Sequence, residues 1–345
     1  MPGRSAGEII REQRVIETQA GHDKAVAIAW IRKHKAYMKS LGELPYAVWR
    51  AKILKQARID LGKIADVYFI DWLQLSYQLN KLDSLDIEDI SKAGAIKAAG
   101  NIKTTGKTTK QNLSALMNVA YGTLSTGTTR LHAQGLSTDQ ITDAIMGTQV
   151  QRYKNGDMIR WINGARTHSS TNVKSEVEGM RQARYSKDSN VRGYVWDSVL
   201  DGRTSTTCQG LNGKRFYFYR IVDGKRIPLS GYKPLPPIHP NCRSSTQPII
   251  NGESIPEVES FTDWANDPKN DEELLEALGI SRYNLFQSEQ LKIERFTDAR
   301  FKPLTVDDLI NSLIEEDPET NEIFIMDGGK RVSVEAYKKE LRKKI

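Results

Sequence analysis

Cys208 and Cys242 are the only cysteines in the 345-residue chain, and His239 stands three positions before the second. In His239-Pro-Asn-Cys242 this spacing lets one tight turn aim an imidazole and a thiolate at a single metal ion, with Cys208 as a third ligand from the preceding turn. A structural zinc takes four ligands, and Asp201, in a turn near Cys208, is the candidate for the fourth. His132 and His168 are outlying alternatives. A three-ligand site would instead leave a position for water and suit hydrolysis. Two plainer readings stay open on spacing alone. The thiols could be small buried hydrophobes, with His239 bonded to a carbonyl, or the cysteines could form a disulfide, which a reducing cytoplasm disfavours. No C-x-x-C pair is present to decide it.

Other chemistry is weakly represented. Gly106-Lys107-Thr108 invites a phosphate-loop reading, but the motif needs Gly five positions before the Gly-Lys pair, where this chain has Asn101. A deaminase signature and a Gly-x-Ser-x-Gly elbow are both missing. No pair of carboxylates stands out, so the chain is not expected to be an enzyme.

The elements that must position the Cys/His residues divide the chain into four segments. Residues 1–100 read as long helices. Ile9 to Lys39 contains no proline, and after a break at Gly42–Pro45 the residues Trp49, Ile53, Ala57, Ile64, Tyr68, Trp72, Leu75 and Leu79 repeat at helical spacing up to Asn80. Gly62 is a candidate bend. Residues 101–190 form a basic helical region. It opens with a polar loop over 101–110, and a capping box at Ser137–Gln140 starts a short helix through Met146. A further helix is expected over Thr171 to Arg184. Residues 191–250 form a small β-rich module, with a strand at Tyr194–Leu200, a turn at Asp201-Gly202, and hairpin-type Asn212-Gly213 and Asp223-Gly224 flanking Arg215–Val222. A module of this size needs a staple. Residues 251–345 form an acidic, mixed α/β C-terminal region. The expected fold class is α+β, predominantly α-helical.

No run of about 18 apolar residues is present, so no membrane-spanning helix is expected. The charged N-terminal pattern is not that of a signal peptide, so synthesis in the cytoplasm is expected. The net charge of +7 is uneven. Residues 101–250 carry 21 Lys and Arg against 9 Asp and Glu, whereas 251–345 carry 13 against 22. Residues 1–60 are basic, with 12 against 6, and 61–100 mildly acidic, with 4 against 6. A basic middle beside an acidic tail points to a polyelectrolyte or an oppositely charged protein as partner, or to solvated faces that merely differ. Arg152, Lys154, Arg160, Arg166, Arg181, Arg184 and Lys187 concentrate just before the module, and are the candidate contacts for sequence-independent, salt-sensitive binding of double-stranded DNA.

The ordered set Trp196-x-x-x-x-Asp201-x-Arg203-Thr-Ser-x-x-Cys208-x-x-Leu-x-Gly213, followed by Pro236-Pro-x-His239-Pro-x-Cys242-Arg243-Ser, resembles the signature of the phage head morphogenesis proteins, the minor head proteins of the Mu protein F type. Arg166-Thr167 upstream is similar to the family's approach segment. Phe261-Thr-Asp-Trp264, Leu278-Gly279-x-x-Arg282-x-x-Leu285 and Leu304-Thr305-x-x-Asp308-Leu309 are similar to its closing segment. The match covers roughly residues 165–310. The resemblance implies a structural component of the virion, in the head interior or portal region, made in the host bacterial cytoplasm. Its implied partners are the portal protein, capsid and scaffold proteins, and packaged DNA. It also implies a zinc-type set at Cys208, His239 and Cys242. Members often continue Cys-Arg-Cys where this chain has Ser244, which leaves the fourth ligand undecided. The alternative reading is a phage-injected effector or nuclease that uses the Cys/His site as a catalytic metal centre.

Overall fold

The computed structural model describes residues 5–81, 94, 103–104, 107–288, 291–317, 320 and 322–342. Among the described residues helix outweighs strand, 59% against 13%, and the strands lie in small sheets, so the fold is α+β. None of the described helices is long and apolar enough to cross a membrane. The chain divides into two units. One is Gly7–Ser189 with Leu235–Cys242; the other is Met1–Ala6, Asn190–Pro234 and Arg243–Ile345. The four segments read from the sequence do not map onto these units one for one, because the expected module of 191–250 is divided and its Leu235–Cys242 falls with the helices. The helices of 7–189 share one apolar core, while 191–234 and 243–345 belong together.

The helical unit opens with α1 (Ala6–Ser40) and α2 (Tyr46–Lys81). They are separated where Gly42 takes a left-handed φ of 58° and Pro45 presets the entry to α2. α2 continues through Gly62. Trp49, Trp72, Ile53 and Ala57 lie on its buried stripe. Polar handles tie that stripe to α1: Trp49 Nε1 donates to the Met38 carbonyl at 3.1 Å, and Trp72 Nε1 donates to the buried Asp23 carboxylate at 2.6 Å. His34 on α1 is buried and stacked on Trp30 at 4.8 Å, and burial pushes its pKa down to about 4.

The expected loop over 101–110 contains a minimal ladder, β1 (Lys103–Thr104) against β2 (Lys107–Thr108); Gly106 lies outside the described residues. α3 (Thr109–Ala133) and α4 (Thr138–Met146) both begin with capping boxes, Thr108 with Gln111 and Ser137 with Gln140. α5 (Ile159–Lys187) starts twelve residues before the expected Thr171, because no breaker other than Gly164 interrupts 159–170.

From Ser169 to Glu178 every residue of α5 is buried. Its interior charges are paired. Lys174 Nζ reaches Glu12 at 2.7 Å and Glu178 at 3.3 Å, and Arg181 bonds both carboxylates. Glu176, also buried, accepts from Ser76 Oγ at 3.2 Å, and burial pushes its carboxyl up to about 8.

In the second unit β3 (Val191–Asp197) is the centre of a three-stranded antiparallel sheet. It lies between β4 (Arg215–Tyr217) and β7 (Ser245–Ile250). A Cβ at Gly193 would stand 2.3 Å from the Phe216 carbonyl, so glycine permits the close approach of β4. Between β3 and β4 lies the short helix α6 (Thr206–Leu211). The expected strand over Arg215–Val222 breaks at Phe218. Its second half, β5 (Tyr219–Val222), pairs only with β6 (Lys225–Pro228), across a turn where Asp223 and Gly224 have φ of 49° and 73°. The acidic region adds short helices α7 (Phe261–Asn266), α8 (Asp271–Leu278), α9 (Ile280–Gln287), α10 (Val306–Asn311) and α11 (Val334–Glu340), with β8 (Ile314–Glu316), β9 (Ile323–Asp327) and β10 (Lys330–Val332). These pack around Trp264, Leu274, Phe296, Leu309 and Tyr337.

Candidate metal centre

Two local structures present the Cys/His residues. Ser205 caps α6 by accepting the Cys208 N–H at 3.3 Å, which places Cys208 in the first turn of that helix. The Cys208 carbonyl accepts from Ser198 Oγ at 3.1 Å. Ser198 also accepts the Trp196 indole N–H at 3.0 Å, and its backbone N–H donates to Asn212 Oδ1 at 2.9 Å. The sequence reading missed these polar anchors. Their signal was present in Trp196-x-Ser198 and in the Asn212 that follows Leu211.

The second structure is the turn His239-Pro-Asn-Cys242. Its closing bond runs from the Cys242 N–H to the His239 carbonyl at 3.2 Å, and Asn241 takes a φ of 57° at the corner. Asn241 is held from α5, with its N–H donating to Thr171 Oγ1 at 3.0 Å and its Oδ1 accepting from Ser170 Oγ at 2.7 Å. Cys242 leads through Arg243 and Ser244 into β7, whose pairing with β3 runs from Asp197↔Ser245 onwards.

Cys208, His239 and Cys242 come together, with one ligand atom from each lying within 4.8 Å of the other two. Both cysteines are buried and form no disulfide, and His239 is half-buried. A tetrahedral zinc, with Zn–S of about 2.3 Å and Zn–N of about 2.0 Å, spaces its ligand atoms roughly 3.5–3.8 Å apart, so the set lies within about 1 Å of closing. His239 Nδ1 stands 2.9 Å from the Pro240 carbonyl. A carbonyl only accepts, so Nδ1 carries the proton and Nε2 keeps its lone pair, the tautomer that carbonyl-oriented metal ligands adopt. The residues present therefore fit a metal ion of the zinc class, held by two thiolates and one imidazole.

Among the described residues the set has three members. Asp201, the expected fourth ligand, is committed elsewhere. Its carboxylate takes a two-pronged bond from Arg243 and accepts the Arg203 N–H at 2.8 Å. Burial raises the Asp201 carboxyl, but the hydrogen bonds from Arg243 and Arg203 outweigh it, and the pKa lies below the usual carboxylate range. Asp201 is thus a turn-former and arginine clamp, engaged by the cation next to a candidate ligand. His132 stacks on Tyr46, and neither it nor His168 joins the set. Ser244 shares a hydrogen bond with Ser198 Oγ at 3.0 Å.

The expected DNA contacts separate into two groups. Arg152, Lys154, Arg160, Arg166 and Lys187 are exposed. Arg181 and Arg184 are buried, which corrects their assignment as DNA contacts. Arg181 neutralises Glu12 and Glu178, and Arg184 donates to the Asn80 carbonyl at 3.1 Å, so neither guanidinium faces a phosphate backbone. No family model matches the chain, and no curated protein or solved structure matches it.

Proposed function

We propose that the chain is a minor head protein of a tailed bacteriophage, a structural component that binds portal and capsid subunits from inside the head and touches packaged DNA. The observation that carries the reading is the convergence of Cys208, His239 and Cys242, residues of two separate motif halves, on one point. In this reading the metal is a fold staple, since a small module with short strands gains most of its order from such a ligand set. The long helices supply docking surfaces, and the exposed cations of the basic region meet DNA by replacing its condensed counterions.

The test is co-expression with any portal protein and major capsid protein that its source genome encodes, followed by purification of assembled heads and quantitative mass spectrometry. The reading expects the chain in purified heads at a few copies, and its loss when His239→Ala unfolds the module. Assembled heads that exclude a correctly folded chain would overturn it.

A second reading has one observation in its favour. A set of three protein ligands leaves a fourth position for water, the arrangement of catalytic zinc sites. An effector or nuclease of this kind would lose hydrolysis of DNA on His239→Ala while keeping its fold and its incorporation, the opposite of the structural reading.

A further inference from the structure

The β5–β6 ribbon is the most exposed regular structure among the described residues. Every residue from Arg220 to Pro228 is exposed, including Ile221 at 56%, Val222 at 40% and Ile227 at 38%. Its root is fixed. Phe218 packs on Tyr194 at 5.9 Å, the Leu229 N–H closes on the Phe218 carbonyl at 2.9 Å, and Asn251 Nδ2 donates to the Tyr219 hydroxyl at 2.7 Å. A two-stranded ribbon open on both faces is marginal in water, so an anchored root with an open end suits an element built to enter something.

Charge and register indicate what it enters. The pairs Arg220↔Ile227 and Val222↔Lys225 share one face, and Tyr219↔Pro228 and Ile221↔Arg226 share the other, so each face carries cations beside aliphatic side chains. From Lys214 to Pro228 there are five cations and one carboxylate, Asp223 in the turn. None of the ion pairs among the described residues takes up Arg220, Lys225 or Arg226; Arg226 lies over the Tyr219 ring at 5.0 Å. Strands about 4.8 Å apart with side chains on both faces match the roughly 12 Å width of a B-DNA major groove, which has a phosphate wall on each side.

We propose that this ribbon is a DNA-binding arm that seats in a groove of duplex DNA, with Arg220, Lys225 and Arg226 on the phosphates and Ile221 and Ile227 against sugars and bases. Cations on both faces favour this over strand addition to a protein, where one face would meet the partner's core. The inference deepens the DNA contact of the proposed function and fails separately from it. DNA affinity is read on the purified chain, and the head role on assembled heads.

The experiment compares the full-length wild type with Arg220→Gln/Lys225→Gln/Arg226→Gln for binding a short random-sequence duplex at about 50 and 200 mM salt. Losing three phosphate contacts should reduce the salt slope by about 2.7, so that the rise in salt costs the variant about 40-fold less affinity than the wild type. The melting curve should be unchanged, because all three side chains are exposed. A variant with wild-type affinity and slope would overturn the proposal, as would a wild type that does not bind DNA. So would loss confined to Arg152→Gln/Lys154→Gln/Arg160→Gln, or a ribbon variant that keeps DNA binding and loses a protein partner instead.

Discussion

Lys174, Arg181 and Arg184 of α5 and Arg220, Lys225 and Arg226 of the β5–β6 ribbon belong to the same basic stretch of sequence. They do opposite work. The first three are buried, two of them against Glu12 and Glu178 and one against the Asn80 carbonyl, and their charge is spent inside the helical unit. The second three stand in solvent beside aliphatic side chains. A segment's formal charge therefore says little about the field it presents; the positions of its carboxylates decide that. The two regions also differ in what holds them. The helical unit has a large apolar core around Trp49, Trp72 and Trp161, whereas the sheet of β3, β4 and β7 is short and its β7 buries Ser245, Thr246 and Gln247. On the proposed function the helical unit stands by packing, and the short sheet of β3, β4 and β7 by the metal-ligand set.

The largest effect should separate those two modes of stabilisation. Cys208→Ser with Cys242→Ser removes both thiolates, and structural zinc contributes on the order of 10 kcal/mol to small domains. Hydrogen exchange should show residues 191–250 losing protection while 46–81 and 109–187 keep theirs; equal loss in both regions would erase the distinction.

The buried cations come next. Arg181→Met leaves Glu12 and Glu178 sharing one lysine, and should cost about 3–5 kcal/mol in urea unfolding, the usual penalty for breaking a buried pair. Arg226→Met on the ribbon should change stability by no more than about 0.5 kcal/mol. Comparable losses at the two sites would contradict the burial argument.

The neutral acid of the helical unit gives a smaller, pH-dependent effect. The Glu176 carboxyl rises from 4.5 to about 8 on folding, so the folded chain keeps a proton that the unfolded chain has lost between those values. Stability contributed by Glu176 is complete below pH 4.5 and falls as pH rises towards 8. Glu176→Gln, which copies the neutral acid, should be more stable than wild type by roughly 3 kcal/mol at pH 7 and equal to it near pH 4. His34 works in the other direction. Its pKa falls from 6.5 to about 4, so its contribution is complete above pH 6.5 and is lost as pH drops to 4. Melting temperatures of wild type and both Glu176→Gln and His34→Gln across pH 4–8.5 check the two limbs.

A smaller, local effect lies at a helix start. Ser137→Ala removes the α4 capping box and should cost about 1 kcal/mol, with no change in the Cys/His module.

Local features were legible before the structure. Ser137-Thr-Asp-Gln140 forms its cap, Asp223-Gly224 makes its turn, and the apolar repeat from Trp49 to Leu79 lies on one helix, because each depends on neighbours a few residues apart. The His239–Cys242 spacing was legible for the same reason, and Cys208 joined it as the one other thiol. Pairings between distant segments were not legible. Glu12 lies 169 residues from the Arg181 it neutralises, and Arg243 lies 42 from the Asp201 it withdraws from the ligand set. Nothing in the local pattern of α5 marks Arg181 as buried and Lys187 as exposed. The exposure of the ribbon likewise follows from the break at Phe218, which moves Tyr219–Val222 out of the β3 sheet.

The convergence of Cys208, His239 and Cys242 into a metal-holding set is the claim that carries the proposed function. It is tested most directly by elemental analysis of the folded full-length chain after zinc loading and desalting, with Cys242→Ser treated alongside. The account predicts about one zinc per wild-type chain and none in the variant. A folded wild type that retains no metal would contradict it.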